Sequence, residues 1–145
     1  MNLTKALKYK KKLVKQIDET FIRFQKYNSQ PIDNVGKGYN PEEAYIKWIG
    51  LTSELVELKT KIQNANAPIA SKIFRLGEVK NLISRLRGVD TKNGLIKEYR
   101  HSDAAPIEYV TYMDLFAKDI QIAAWEQEIE QLQEEIEAFN AITKI

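Results

Sequence analysis

One histidine and no cysteine occur in the whole chain, so any chemistry has to come from few residue types. The histidine, His101, stands between Arg100 and Ser102, with Asp103 next. A Ser–His–Asp triad needs three side chains converging from separate positions on a scaffold, which neighbours in one loop do not achieve. A lone histidine cannot build a multi-histidine metal site. The lack of cysteine excludes thiol nucleophiles, zinc–thiolate centres and disulfides. His101 therefore reads as the tip of a solvated loop. Gly36-Lys37-Gly38 has the residue types of a phosphate loop, but its spacing is not that of a Walker motif and no strand precedes it, so it reads as a connector. Near the C-terminus Glu126, Glu128, Glu130, Glu134, Glu135 and Glu137 offer carboxylates. A di-metal helical bundle needs inward Glu-x-x-His pairs, whereas the inward positions here are Ile122, Trp125, Ile129, Leu132, Ile136 and Phe139. The sequence thus names no catalytic, cofactor or metal residue and points away from an enzyme.

Charge is the second chemical signal. The net charge is only +2 with 29% charged residues, but the charges are segregated. Lys5, Lys8, Lys11, Lys12 and Lys15 share one helical face, and no acidic residue precedes Asp18. Between Lys118 and Lys144 no basic residue occurs. The lysine face is the candidate contact for a polyanion such as nucleic acid, or for the acidic last helix, whose opposite charge would set partner choice.

The elements that carry these residues are helical. Leu3, Ala6, Leu7, Leu13, Val14, Ile17, Phe21 and Phe24 recur at three- and four-residue spacing and predict a helix over 3–28. Residues 29–39 form a loop. Asn40-Pro41-Glu42-Glu43 is a helix start, with a capping asparagine, proline at the first position and acids near the positive end of the dipole. From there a heptad runs. Its a positions are Trp48, Leu55, Ile62, Ile69, Leu76 and Ile83; its d positions are Leu51, Leu58, Ala65, Lys72, Val79 and Leu86. The register continues through Pro68, although an interior proline costs about 3 kcal/mol. A single helix over 41–87, kinked at Pro68 and about 69 Å long, accounts for the unbroken phase. The alternative is two helices broken at 64–68, with Asn66 capping the second.

Gly88 and the turn 89–94 end that rod. The β-branched and aromatic content of Leu95–Arg100 and Ile107–Met113 predicts a β-hairpin over 95–113. Asp114 caps a last helix to about residue 143, with Trp125, Ile129, Leu132 and Ile136 in a second apolar seam. Trp48 and Trp125 are seam residues and read as core anchors rather than ligand-stacking platforms. Lys72, the one charged d position, either fixes register or oligomer state, or packs its stem while its ammonium reaches water.

Three stretches, LTKALKYKKKLVKQI, IQNANAPIASKIFRLGEVKNLISRL and IEYVTYM leading to LQEEIEAFNAITKI, resemble an uncharacterised bacterial helical family sometimes labelled septicolysin-like. The order of parts is similar over most of the chain, but the terminal Asn-Trp of that family is missing. The resemblance implies a helical, oligomeric protein and supplies no catalytic residue. The helix–hairpin–helix order over 41–143 also resembles the layout of a small prefoldin-type chaperone subunit.

The expected fold is mainly α: a single domain over 1–145, an antiparallel helical bundle or coiled coil around one long kinked helix, with a small β-hairpin before the last helix. The expected function is that of a non-enzymatic structural or assembly protein. It would form coiled-coil homo-oligomers, alone or with other proteins of a larger complex such as a phage particle. The alternative is a binding module for nucleic acid, through the lysine face, or for chaperone clients. No apolar run approaches the roughly 20 residues of a membrane span, and the opening residues lack a signal-peptide core, so the expected location is the cytoplasm, or a virion.

Overall fold

A computed structural model describes residues 1–97 and 105–145. The fold is mainly α, with a two-stranded antiparallel hairpin before the last helix. In chain order the elements are α1 (Leu3–Tyr27), α2 (Pro41–Asn66), α3 (Ala70–Arg87), β1 (Gly94–Ile96), β2 (Ile107–Tyr109) and α4 (Leu115–Ile142). Short 3-10 turns lie at Ile32–Asn34 and Ala67–Ile69.

Helix starts follow the side chains that precede them. Asn40 accepts from the N–H groups of Glu42 (2.9 Å) and Glu43 (3.4 Å), and Pro41 takes the first helical position, where its missing N–H is not needed. Asp114 accepts from Ala117 N–H at 2.8 Å. Around Pro68 the backbone tightens rather than leaving the helix. Ala67 keeps helical angles and donates to Asn64 O, and the 3-10 turn runs straight into α3 with no non-helical residue between. Proline cannot donate to the carbonyl four residues back, and an i to i+3 turn is how the chain passes it.

The chain divides into two compact units, and the division falls at this turn. Met1–Ile69 with Glu137–Ile145 form the first; Ala70–Ile136 form the second. In the first, α1 and α2 pack as an antiparallel pair around Leu3, Ala6, Leu13, Leu58 and Ile62, with Phe139 and Ile145 packed against the cluster. The termini are tied together. Asn2 and Lys144 form an antiparallel bridge, Leu3 N–H donates to Thr143 O (2.7 Å) and Ile145 N–H to Met1 O (3.2 Å). Asn2 itself serves two helix ends. Its side-chain oxygen accepts from Lys5 N–H (2.9 Å), and its amide donates to Ala141 O (3.2 Å), a carbonyl in the last turn of α4.

In the second unit Val79 is fully enclosed and Ile83 nearly so. α3 and α4 run antiparallel, as their ion pairs show: Lys72 meets Glu135, Arg75 meets Glu128 and Arg87 meets Glu126. The strands pair Gly94 with Tyr109, Leu95 with Glu108 and Ile96 with Ile107; β2 is shorter than the stretch Ile107–Met113 suggests, and residues 98–100 of the other expected strand lie outside the described residues. Val110–Met113 is not strand; Thr111 bonds Met113 O (2.7 Å) in a local turn that delivers the chain to the Asp114 cap. Gly94 has φ +82, a conformation a side chain disfavours, and it opens β1 directly after Asn93.

Candidate interaction surfaces

The heptad residues of α2 and α3 sort cleanly by burial. In the first unit Leu58, Ile62 and Ile69 are buried and Trp48, Leu51, Leu55 and Ala65 half-buried; in the second Val79 and Ile83 are buried and Leu76 and Leu86 half-buried. On α4, Trp125, Ile129, Leu132 and Ile136 are half-buried as well. Trp48 sits in an aromatic cluster, 4.9 Å from Phe21 and 6.0 Å from both Phe24 and Tyr45 between ring centres. Leu51, Leu55, Leu58, Ile62 and Ala65 belong to the core cluster of the first unit and Trp48 to its aromatic cluster.

Lys72 is the exception, and its surroundings explain it. The side chain is 47% exposed and its ammonium lies 2.9 Å from Glu135 Oε2. Glu135 also accepts from Gln131 Nε2 at 3.3 Å. These bonds, Lys72 first, hold the Glu135 carboxyl below the usual glutamate range. The stem follows the seam while the charge leaves it for a carboxylate on the facing helix. Arg75 grips Glu128 with two parallel bonds of 2.9 and 3.0 Å, which hold its guanidinium still more firmly protonated. Lys118 donates to Arg87 O and Val89 O, both at 2.9 Å, so a side chain from α4 satisfies the end of α3. None of Arg75, Arg87 or Lys118 stands out in the sequence, because each needs a distant partner to acquire a role. Asn2 is different: an asparagine just before an apolar-periodic run is a legible cap signal.

Three of the acids of α4, Glu126, Glu128 and Glu135, thus pair with basic side chains of α3. The acids at Glu126, Glu128 and Glu135 belong to the unit that contains α3, and only the last turns of α4 reach the unit that contains α1. There Glu137 shares the rim of a cavity of about 440 Å³ with Lys8 and Lys11, without an ion pair among the described residues. Lys5, Lys8, Lys11, Lys12 and Lys15 are all exposed, and the ion pair among them is Lys15–Glu19 at 3.9 Å along the same helix. On the far side of α1, Tyr9 donates to Glu54 of α2, and this bond pushes its phenol above the ordinary tyrosine range.

The remaining chemical candidates are quickly placed. His101, with Arg100, Ser102 and Asp103, lies outside the described residues. Lys37 borders a cavity of about 390 Å³ beside Lys26, Tyr27 and Asn34, in the connector between α1 and α2. Among the described residues no group of three or more His, Cys, Asp or Glu side chains is placed to hold a metal ion.

What the heptad count does not reveal is how much apolar surface stays open. In the second unit Leu95, Ile107, Val110, Tyr112, Leu115, Phe116 and Ile120 are exposed, Val110 to 91% and Tyr112 completely. In the first, Val14, Phe21, Ile22, Tyr45, Ile46, Ile49 and Val56 are exposed on α1 and α2. No helix among the described residues is long and apolar enough to cross a membrane. No protein-family model, curated protein or solved structure matches the chain.

Proposed function

We propose that this chain is a non-enzymatic structural or assembly protein. It forms homo-oligomers through helical seams and hairpin edges, in the cytoplasm or within a larger particle such as a phage virion. The observation that carries this reading is the apolar surface on the hairpin and the first turns of α4. A two-stranded hairpin is marginal in water on its own, and this one leaves Leu95 exposed on one face and Ile107 on the other, followed along the chain by exposed Val110, Tyr112, Leu115 and Phe116. So many large apolar side chains left open over one stretch of chain favour contact with a partner. The resemblance of three segments to a helical, oligomeric family supports the same reading. Size exclusion with light scattering tests it. A defined multimer is expected, and a monomer that stays stable on dilution would overturn it.

A further inference from the structure

Resting on that assembly reading, we infer that a second copy of this chain docks antiparallel on one face of the α1/α2 pair, the face that carries Val14 and Thr52. The surface is built from two rows. On α1, Leu7, Val14 and Phe21 stand seven residues apart, roughly a quarter-turn round from the buried Leu3–Ala6–Leu13 line. On α2, Tyr45, Ile49, Thr52, Val56 and Lys59 follow at alternating spacings of four and three, a second heptad row beside the buried one. Both rows face the same side. One groove, of about 530 Å³, is lined by Leu7 and Lys10 from α1 and by Lys59, Ile62 and Gln63 from α2, whereas the Tyr9–Glu54 bond closes the opposite side. The third segment of this unit, Glu137–Ile145, meets α1 at its start, around Thr4, Leu7, Lys8 and Lys11. Beyond it Val14, Phe21, Tyr45, Ile49 and Val56 remain 37% to 58% exposed.

A heptad row wants a helix, and the charges on this face say which one. Lys11 and Asp18 stand three residues before and four residues after Val14, the middle of the α1 row. On α2, Tyr45 and Lys59 lie seven residues either side of Thr52, with Ile49 and Val56 between them. The two midpoints fall within about one helical turn of each other. Phe21 against Trp48 and Tyr9 against Glu54 bracket Val14 and set it beside residues 49–55 of α2, whose centre is Thr52. A two-fold axis through both midpoints, perpendicular to the helices, lays each helix on its own copy in reverse. Lys11 then meets the partner's Asp18, Tyr45 lies under the partner's Lys59, and Ile49 packs on the partner's Val56. Such a contact is isologous and closes on itself. A two-fold along the helices would instead lay α1 on the partner's α2 and lose the match of Lys11 with Asp18.

The test uses the full chain and reads mass by sedimentation velocity, with circular dichroism confirming helix content. Ile49→Glu with Val56→Glu is expected to halve the mass of the species at micromolar concentration. Lys11→Asp and Asp18→Lys, both on exposed positions, are each expected to raise the dissociation constant about tenfold, and the two together to restore it. A wild-type multimer whose mass the Ile49/Val56 variant leaves unchanged would overturn this face while leaving the assembly reading intact; a wild-type monomer would overturn both. Single charge reversals without effect, or a double reversal that fails to rescue, would overturn the antiparallel register.

Discussion

Leu13→Ala tests the architecture most directly, because Leu13 is fully enclosed where α1 meets α2 and lies in only one of the two units. The change removes three carbon atoms. At about 0.8 kcal/mol per buried methylene, the lost transfer energy is about 2.4 kcal/mol. The cavity left beside Leu58 and Ile62 is incompletely refilled, which brings the expected cost to about 3–4 kcal/mol. For a chain of this size that corresponds to a fall in Tm of roughly 10 °C. The two tryptophans make the assay unit-specific, since Trp48 lies in the first unit and Trp125 in the second. In a Trp125→Phe background, Trp48 fluorescence under urea reports the α1/α2 pair alone, at a fixed protein concentration so that any self-association is held constant. The midpoint is expected to fall by one to two molar, on the order set by typical urea slopes. Lys12→Ala, on the exposed side of the same helix, is expected to move it by no more than about 0.5 kcal/mol equivalent. A Leu13→Ala cost below about 1 kcal/mol would refute the packing of α1 on α2 around this residue.

Two further outcomes follow from single contacts. The Glu135 carboxyl is more acidic folded than unfolded, chiefly through the hydrogen bond from Lys72, so it stabilises the fold above the ordinary glutamate value and loses that contribution as the pH falls through its lower folded value. Carboxyl-carbon NMR is expected to give a titration midpoint for Glu135 below that of an unstructured glutamate, and a higher one in Lys72→Leu; an identical midpoint in both proteins would remove Lys72 as the cause. Asn40→Ala deprives Glu42 and Glu43 N–H of their acceptor and is expected to cost about 1 kcal/mol, with Asn40→Asp close to wild type, as read by chemical denaturation.

The sequence carried the elements better than it carried their partners. The rows Trp48–Ile83 and Leu51–Leu86 are legible because a seven-residue period is a local property, and every one of those residues except Lys72 lies at least half-buried. The Asn40 and Asp114 caps are legible for the same reason. Pairing is not local. The acidic run on α4 is visible, but which of its members pair with Lys72, Arg75 and Arg87 depends on how the fold sets α3 alongside. The hairpin was legible by composition and overestimated in length, since β-branched and aromatic residues favour strand without fixing where the ladder stops; Val110 and Tyr112 continue the composition but not the pairing. The open row Tyr45–Ile49–Thr52–Val56 is weaker as a pattern than the buried row beside it, and burial is what separates the two.

That second row bears on why the chain would assemble at all. A helix in an antiparallel pair buries one stripe against its neighbour, and on α2 the stripe of Leu51, Leu55, Leu58 and Ile62 is used in that way against α1. Tyr45, Ile49 and Val56 lie beside that stripe; Tyr45 touches Phe24 of α1 at 5.3 Å between ring centres, yet all three stay largely open to solvent. Their four-and-three spacing gives them a use as half of a second seam. The same holds in the other unit, where Phe116 and Ile120 lie on the side of α4 away from Trp125 and Ile129. Each unit thus has buried apolar positions within the chain and a further set of large apolar side chains open to solvent. Were both surfaces to pair isologously, the setting of their two-fold axes would decide between a closed ring of copies and an extended array. Disrupting the α1/α2 face alone, by Ile49→Glu with Val56→Glu, is therefore expected to reduce a larger assembly to a smaller defined one held by the hairpin surface, rather than to scatter it into monomers.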